Sequence, residues 1–145
     1  MKKRLAMLVL AGAMVTSSLT GCGLKDSATV ATVAGDEIPA GLANFYARMT
    51  QAQYESMYSS YLGDNMWTTE ASEGKTYEKL VKDEVLKDLE NMYLLEDHMD
   101  DYNISLSDDE KKAIKDAAKE FSKDNDKDDK EKVSGDTEYV ERYLT

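Results

Sequence analysis

The chain has 145 residues, with 29 Asp and Glu against 18 Lys and Arg, a net charge of −11 and a single cysteine. An acidic balance of this size repels nucleic acid and gives no attraction to anionic lipid. A lone cysteine excludes internal disulfides and cysteine-based metal centres, so the fold must hold by packing.

The first residues read as an export signal. Lys2, Lys3 and Arg4 precede an apolar run from Leu5 to Val15, too short for a comfortable membrane span. Leu19-Thr20-Gly21-Cys22 has the form of a lipobox, in which small residues before the cysteine fit a signal-peptidase cleft. The expectation is a lipoprotein signal peptide over 1–21, a lipidated tether over 22–27 with the acyl groups on Cys22, and a domain over 28–145. Removing the leader discards three basic residues and no acid, which takes the net charge to about −14. The anchor must then come from the lipid, and two or more chains hold where one does not.

Ala28 to Val33 alternates and is β-branched, so it predicts a short strand. Ala34-Gly35-Asp36-Glu37 predicts a turn, and Pro39 suits a helix start. Leu42, Phe45, Tyr46, Met49, Ala52, Gln53 and Met57 form a helical stripe. Tyr54, Tyr58 and Tyr61 form a second stripe rotated from the first, so the helix should have two neighbours. These tyrosines fit either a core edge or an adaptable aromatic and methionine surface. Leu62-Gly63-Asp64-Asn65 breaks the helix, and Met66 and Trp67 fall in a loop running to Lys75. Trp67 fits either a cap on the core or an exposed anchor. Gly74-Lys75-Thr76 lacks the upstream glycine and strand of a phosphate-binding loop.

From Tyr77 the apolar positions Leu80, Val81, Val85, Leu89, Met92, Leu95, Met99 and Tyr102 predict one long amphipathic helix ending near Asn103. Ile104 and Leu106 form a short connector. Ser107-Asp108-Asp109-Glu110 is a capping box that opens a third helix to about Phe121, with Ala113, Ile114, Ala117, Ala118 and Phe121 inward. The run from Ser122 to Lys132 is almost wholly charged and reads as solvated. Asp124, Asp126 and Asp128 alternate like the start of a calcium loop, but Asp129 stands where glycine is required and Gly135 where the bidentate glutamate belongs. Asp136-Thr137-Glu138 opens a fourth helix carrying Tyr139, Val140, Tyr143 and Leu144. Its apolar residues lie at the last positions, which suggests a domain incomplete at its C-terminal end. The fold class expected is mainly α, about four helices with a short N-terminal strand.

Three stretches carry a resemblance. "DYNISL" followed by "SDDE" resembles the helix, connector and Ser-x-x-Glu junction of SurA/PrsA-type foldases. "ATVAGDEIPAGLANFY" is similar to the opening strand of that family, with Ala34 where the family usually has asparagine. "GDNMWTTEASEGKTYEKLVKDEVLKDLENMYLL" resembles the equivalent segment of clostridial lipoproteins of this type. The resemblance implies a SurA N-terminal-like chaperone domain that holds unfolded or exported proteins at the extracytoplasmic face of the cell membrane, without nucleotide or cofactor. The surface implied for clients is Tyr54, Met57, Tyr58, Tyr61, Met66 and Trp67. It also implies that a parent chain can carry a parvulin prolyl isomerase, for which this part would be the client-holding arm. A non-chaperone scaffold lipoprotein is the remaining reading.

No catalytic constellation is visible in the sequence. His98 is the only histidine, with no second histidine or free cysteine to complete a site.

Overall fold

The computed structural model describes residues 25–145. Cys22 and the whole leader lie outside the described residues. Four short strands and five α-helices follow in the order β1 (Thr29–Val33), β2 (Asp36–Pro39), α1 (Ala40–Leu62), β3 (Glu70–Ser72), β4 (Lys75–Thr76), α2 (Tyr77–Asp97), α3 (Asp108–Asp124), α4 (Lys127–Val133) and α5 (Thr137–Leu144). The chain is mainly α, as expected.

The predicted strand is one arm of a hairpin. β1 and β2 pair antiparallel, with Ala31 opposite Ile38 and Val33 opposite Asp36. Two residues turn the chain, Ala34 at φ 54° and Gly35 at φ 107°. Left-handed conformation at both central positions matches the right-handed twist of a hairpin, and asparagine before glycine suits it best. Alanine at a positive φ is strained. Ala34→Asn is therefore expected to raise stability by about 0.5–1 kcal/mol, read as a higher urea midpoint at unchanged slope. A lower midpoint would contradict this reading of the turn.

α1 is the axis of the molecule. Pro39 precedes it with the extended φ of −75° that proline fixes. One face, through Leu42 and Ala43, joins Ile38, Val81, Val85, Leu89 and Tyr93 in a core shared with α2 and the hairpin. A second face, through Phe45, joins Ala118 of α3 and Val140 of α5, with Met49, Phe121 and Tyr143 at its edge. α1 thus has two neighbours, α2 on one side and the α3/α5 pair on the other, but both faces draw on the first stripe, through Leu42 and through Phe45, while Tyr58 and Tyr61 of the second stripe are exposed. The rings of Phe121 and Tyr143 meet the Phe45 ring edge-on, at centroid distances of 5.4 and 5.3 Å.

The N-terminal segment is built into this packing. The Asp26 carbonyl accepts from the Gly41 N–H at 2.8 Å, and the Asp26 carboxylate accepts from the Ser134 hydroxyl at 2.9 Å. A Cβ on Gly41 would stand 2.3 Å from the Tyr139 ring, so only glycine admits both neighbours. Asp26, two residues ahead of the start expected at Ala28, is therefore part of the packed structure.

The loop after α1 has its own structure. A 3-10 turn over Gly63–Thr68 leads into a second hairpin, β3 with β4, whose turn residues Glu73 and Gly74 also have positive φ. Thr76 caps α2 by accepting from the Lys79 N–H at 3.3 Å. α2 ends at Asp97, short of Asn103. A 3-10 turn over Asp100–Tyr102 completes the expected length, and Asn103 closes it at φ 54°.

The inward face of α2 differs from expectation in its last turns. Tyr93 is buried, while Leu95 is 70% exposed and Tyr102 74% exposed. The buried positions 81, 85, 89 and 93 keep a strict step of four, which drifts around the helix by about 40° each time. All four join the core with Ile38 and Leu42, and α5 covers the last of them: Arg142 pairs through both guanidinium nitrogens with Glu96 and lies 4.7 Å above the Tyr93 ring. The face that meets α5 is the one carrying Tyr93.

The capping box forms as expected. The Ser107 hydroxyl accepts from the Glu110 N–H at 3.3 Å, and the Glu110 carboxylate accepts from the Ser107 N–H at 2.8 Å. The Ser107 hydroxyl also donates to the Glu110 carboxylate at 2.7 Å, and this bond first, then the one from the Ser107 N–H, holds the Glu110 carboxyl below its usual range. The charged run is not simply a solvated loop. It contains α4, capped by Asp126, whose carboxylate accepts from the Asp129 N–H at 2.9 Å. Asp126 thus serves a helix end.

Candidate functional site

α1 is about 34 Å long at 1.5 Å per residue. Among the described residues its second face meets α3 and α5 through Phe45 and Met49. Its N-terminal part is buried at Ala40, Gly41, Leu42, Ala43 and Phe45, and it has no buried residue beyond Phe45. Beyond Tyr54 the side chains from Glu55 to Tyr61 are at the surface. Met57 is 47% exposed, Tyr58 41% and Tyr61 88%.

Of the six residues singled out from the sequence, five share this end of α1. Tyr54 is half-buried and forms the floor, with its ring 5.6 Å from Tyr58 and 6.4 Å from Trp67 between centroids. Trp67 is half-buried from the 3-10 turn and packs on the α1/α2 core. Met57, Tyr58 and Tyr61 stand open above them. Met66 is the exception. It is 2% exposed, because the 3-10 turn that presents Trp67 at the rim turns its neighbour inward. Met66 belongs to the core and is corrected from the open face.

Two carboxylates fix the floor. The Tyr54 hydroxyl donates to Glu84 at 3.0 Å, and the Trp67 indole N–H donates to Glu55 at 2.8 Å. Burial first, and then the bond to Glu84, push the Tyr54 phenol above its ordinary value. Hydrogen bonds from Gln51 and from Trp67 hold the Glu55 carboxyl below its own. Tyr54 stays neutral and Glu55 charged across the physiological range. Sequence reasoning did not find Glu55 and Glu84, because both bonds cross a chain reversal. No spacing marks them.

A shallow groove of about 270 Å³ adjoins Trp67 between α1 and α2, lined by Asn44, Arg48, Gln51 and Lys82. A second, of about 650 Å³, lies at the opposite end of α1, among Glu37, Pro39, Tyr93, Tyr139 and Arg142. Arg142 there is already committed to Glu96 and Tyr93. His98 faces Asp101 at 3.1 Å near the end of α2, apart from both grooves. Among the described residues no group of three or more His, Cys, Asp or Glu could hold a metal, and no helix is long and apolar enough to cross a membrane. The arrangement suits non-covalent contact with apolar chain segments: rigid rings on a fixed floor and one flexible thioether.

Neither a curated protein nor a solved structure matches the chain. A family model does, the SurA-like N-terminal domain, over residues 3–134. The match spans the hairpin, α1, the Trp67 segment, α2, the capping-box junction, α3 and α4, and the chain belongs to the SurA-like N-terminal domain family.

Proposed function

We propose that this protein is a lipid-anchored chaperone that assists folding of exported proteins on the extracytoplasmic face of the membrane, holding unfolded segments without nucleotide. Family membership supports a chaperone-type role. The observation that carries the holding step is the open end of α1, where Met57, Tyr58 and Tyr61 are exposed on a floor of Tyr54 and Trp67. A folded domain leaves such residues open at a cost in solubility, and contiguous apolar surface marks interaction sites. Aromatic rings bring large contact area at small entropy cost, and methionine adapts to varied partners. Exchange of X-Pro bonds needs a shaped pocket around a barrier of about 18–20 kcal/mol; this face offers holding alone. Loss of client binding on substitution of Tyr58 and Tyr61, with the fold kept, is the test of the holding step.

The anchor rests on the lipobox at Cys22 and on the acidity of the chain, which leaves lipid as the attachment. Cys22→Ala is expected to move the protein from the membrane fraction to the soluble extracytoplasmic fraction. Retention of the variant on membranes after a salt wash would contradict the lipoprotein reading.

A further inference from the structure

The open aromatic end of α1 carries charge of one sign. Between Arg48 and Lys75 the sequence has no basic residue, while Glu55, Asp64, Glu70 and Glu73 fall in that interval. This stretch is the second half of α1, the 3-10 turn and the β3–β4 hairpin. α2 adds Glu84, which accepts from Tyr54. Among the described residues none of these five acids forms an ion pair. The cations that border the face are engaged elsewhere: Lys75 and Lys79 with Asp83, Lys82 with Glu78, and Arg48 with the Gln51 side chain. Exposed rings and carboxylates free of ion pairs thus share one stretch of chain, and Glu55 and Glu84 touch its floor directly.

We propose that this face selects client segments in which apolar or aromatic residues are interleaved with Lys or Arg, and rejects acidic ones; the inference rests on the holding role proposed above. Two contributions act together. Cations are attracted to the faces of Tyr58, Tyr61 and Trp67, and the acidic rim attracts positive segments and repels negative ones. Specificity of this kind needs the repulsive element as much as the attractive one. The charge is local. α3 interleaves Lys111, Lys112, Lys115 and Lys119 with its acids and pairs Lys112 with Asp116, so it presents no such one-signed surface.

The test is calorimetric titration of the full chain with three unstructured peptides of the same Phe/Leu/Ser scaffold, bearing Lys, Gln or Glu at the remaining positions. The Lys peptide is expected to bind about tenfold or more tighter than the Glu peptide, with the Gln peptide between. The gap should shrink between about 20 mM and about 500 mM salt as screening shortens. Neutralising the rim with Asp64→Asn and Glu73→Gln should narrow the gap, whereas Asp109→Asn and Glu120→Gln on α3 should leave it. Equal binding of all three peptides would overturn the selectivity and leave the holding role intact. Binding of none would overturn both. An equal response to rim and α3 substitutions would assign the preference to net charge and overturn the proposed site, as would equal binding of a Lys/Ser peptide without Phe or Leu.

Discussion

Phe45→Ala is expected to cost about 3–5 kcal/mol of unfolding free energy, the largest effect of any single substitution considered. Phe45 is 2% exposed and is the only large side chain fully buried in the second core. Around it stand Ala118, Val140 and the edge-on rings of Phe121 and Tyr143. Domains of this size are stable by only about 5–15 kcal/mol, so the variant should melt at a much lower urea concentration. It should also loosen α5, whose Val140 and Tyr143 pack on this ring, although Tyr143 keeps its contact with Tyr46. A loss below about 1 kcal/mol would mean that α3 and α5 do not pack on α1 as described.

Leu89→Ala is expected to cost about 2–5 kcal/mol, and Leu95→Ala to stay within about 0.5 kcal/mol of the parent protein. Leu89 is 0% exposed among Ile38, Leu42 and Val85, whereas Leu95 is 70% exposed. The pair is a direct check on the direction in which α2 turns its apolar face. Equal losses at both positions would restore the straight stripe through Leu95 and contradict the burial of Tyr93.

The helices were legible because their periods, caps and breaks are local. Ser107 and Glu110 carry the start of α3 within four residues, and Pro39 marks the start of α1. The hairpins were less so. β2 is only Asp36–Pro39, too short for alternation to register, and Glu70–Ser72 has no β-branched residue. The charged run hid α4, since seven residues with one apolar side chain give no periodic signal and the helix rests on its Asp126 cap. The burial of Tyr93 and the exposure of Leu95 could not be read from α2 at all. Tyr93 is buried by partners far along the chain, Ile38 and Leu42 in the core and Arg142, 46 residues on from its partner Glu96, over its ring. The candidate site was legible as a cluster of residue types on one helix and its loop. Which members are open is set by tertiary packing, as in the turn that buries Met66 beside Trp67.

Holding of unfolded protein at the open end of α1 is a proposal that binding can decide. The most direct measurement is binding of a labelled, permanently unfolded client to the full chain by fluorescence anisotropy, without nucleotide, beside the Tyr58→Ser/Tyr61→Ser variant. Both tyrosines are exposed, so the variant should keep the urea midpoint of the parent. The account predicts saturable binding by the parent chain and binding weaker by about tenfold or more in the variant, equal to about 1.4 kcal/mol or more. Undiminished binding by the folded variant, or no binding by the parent chain, would contradict it.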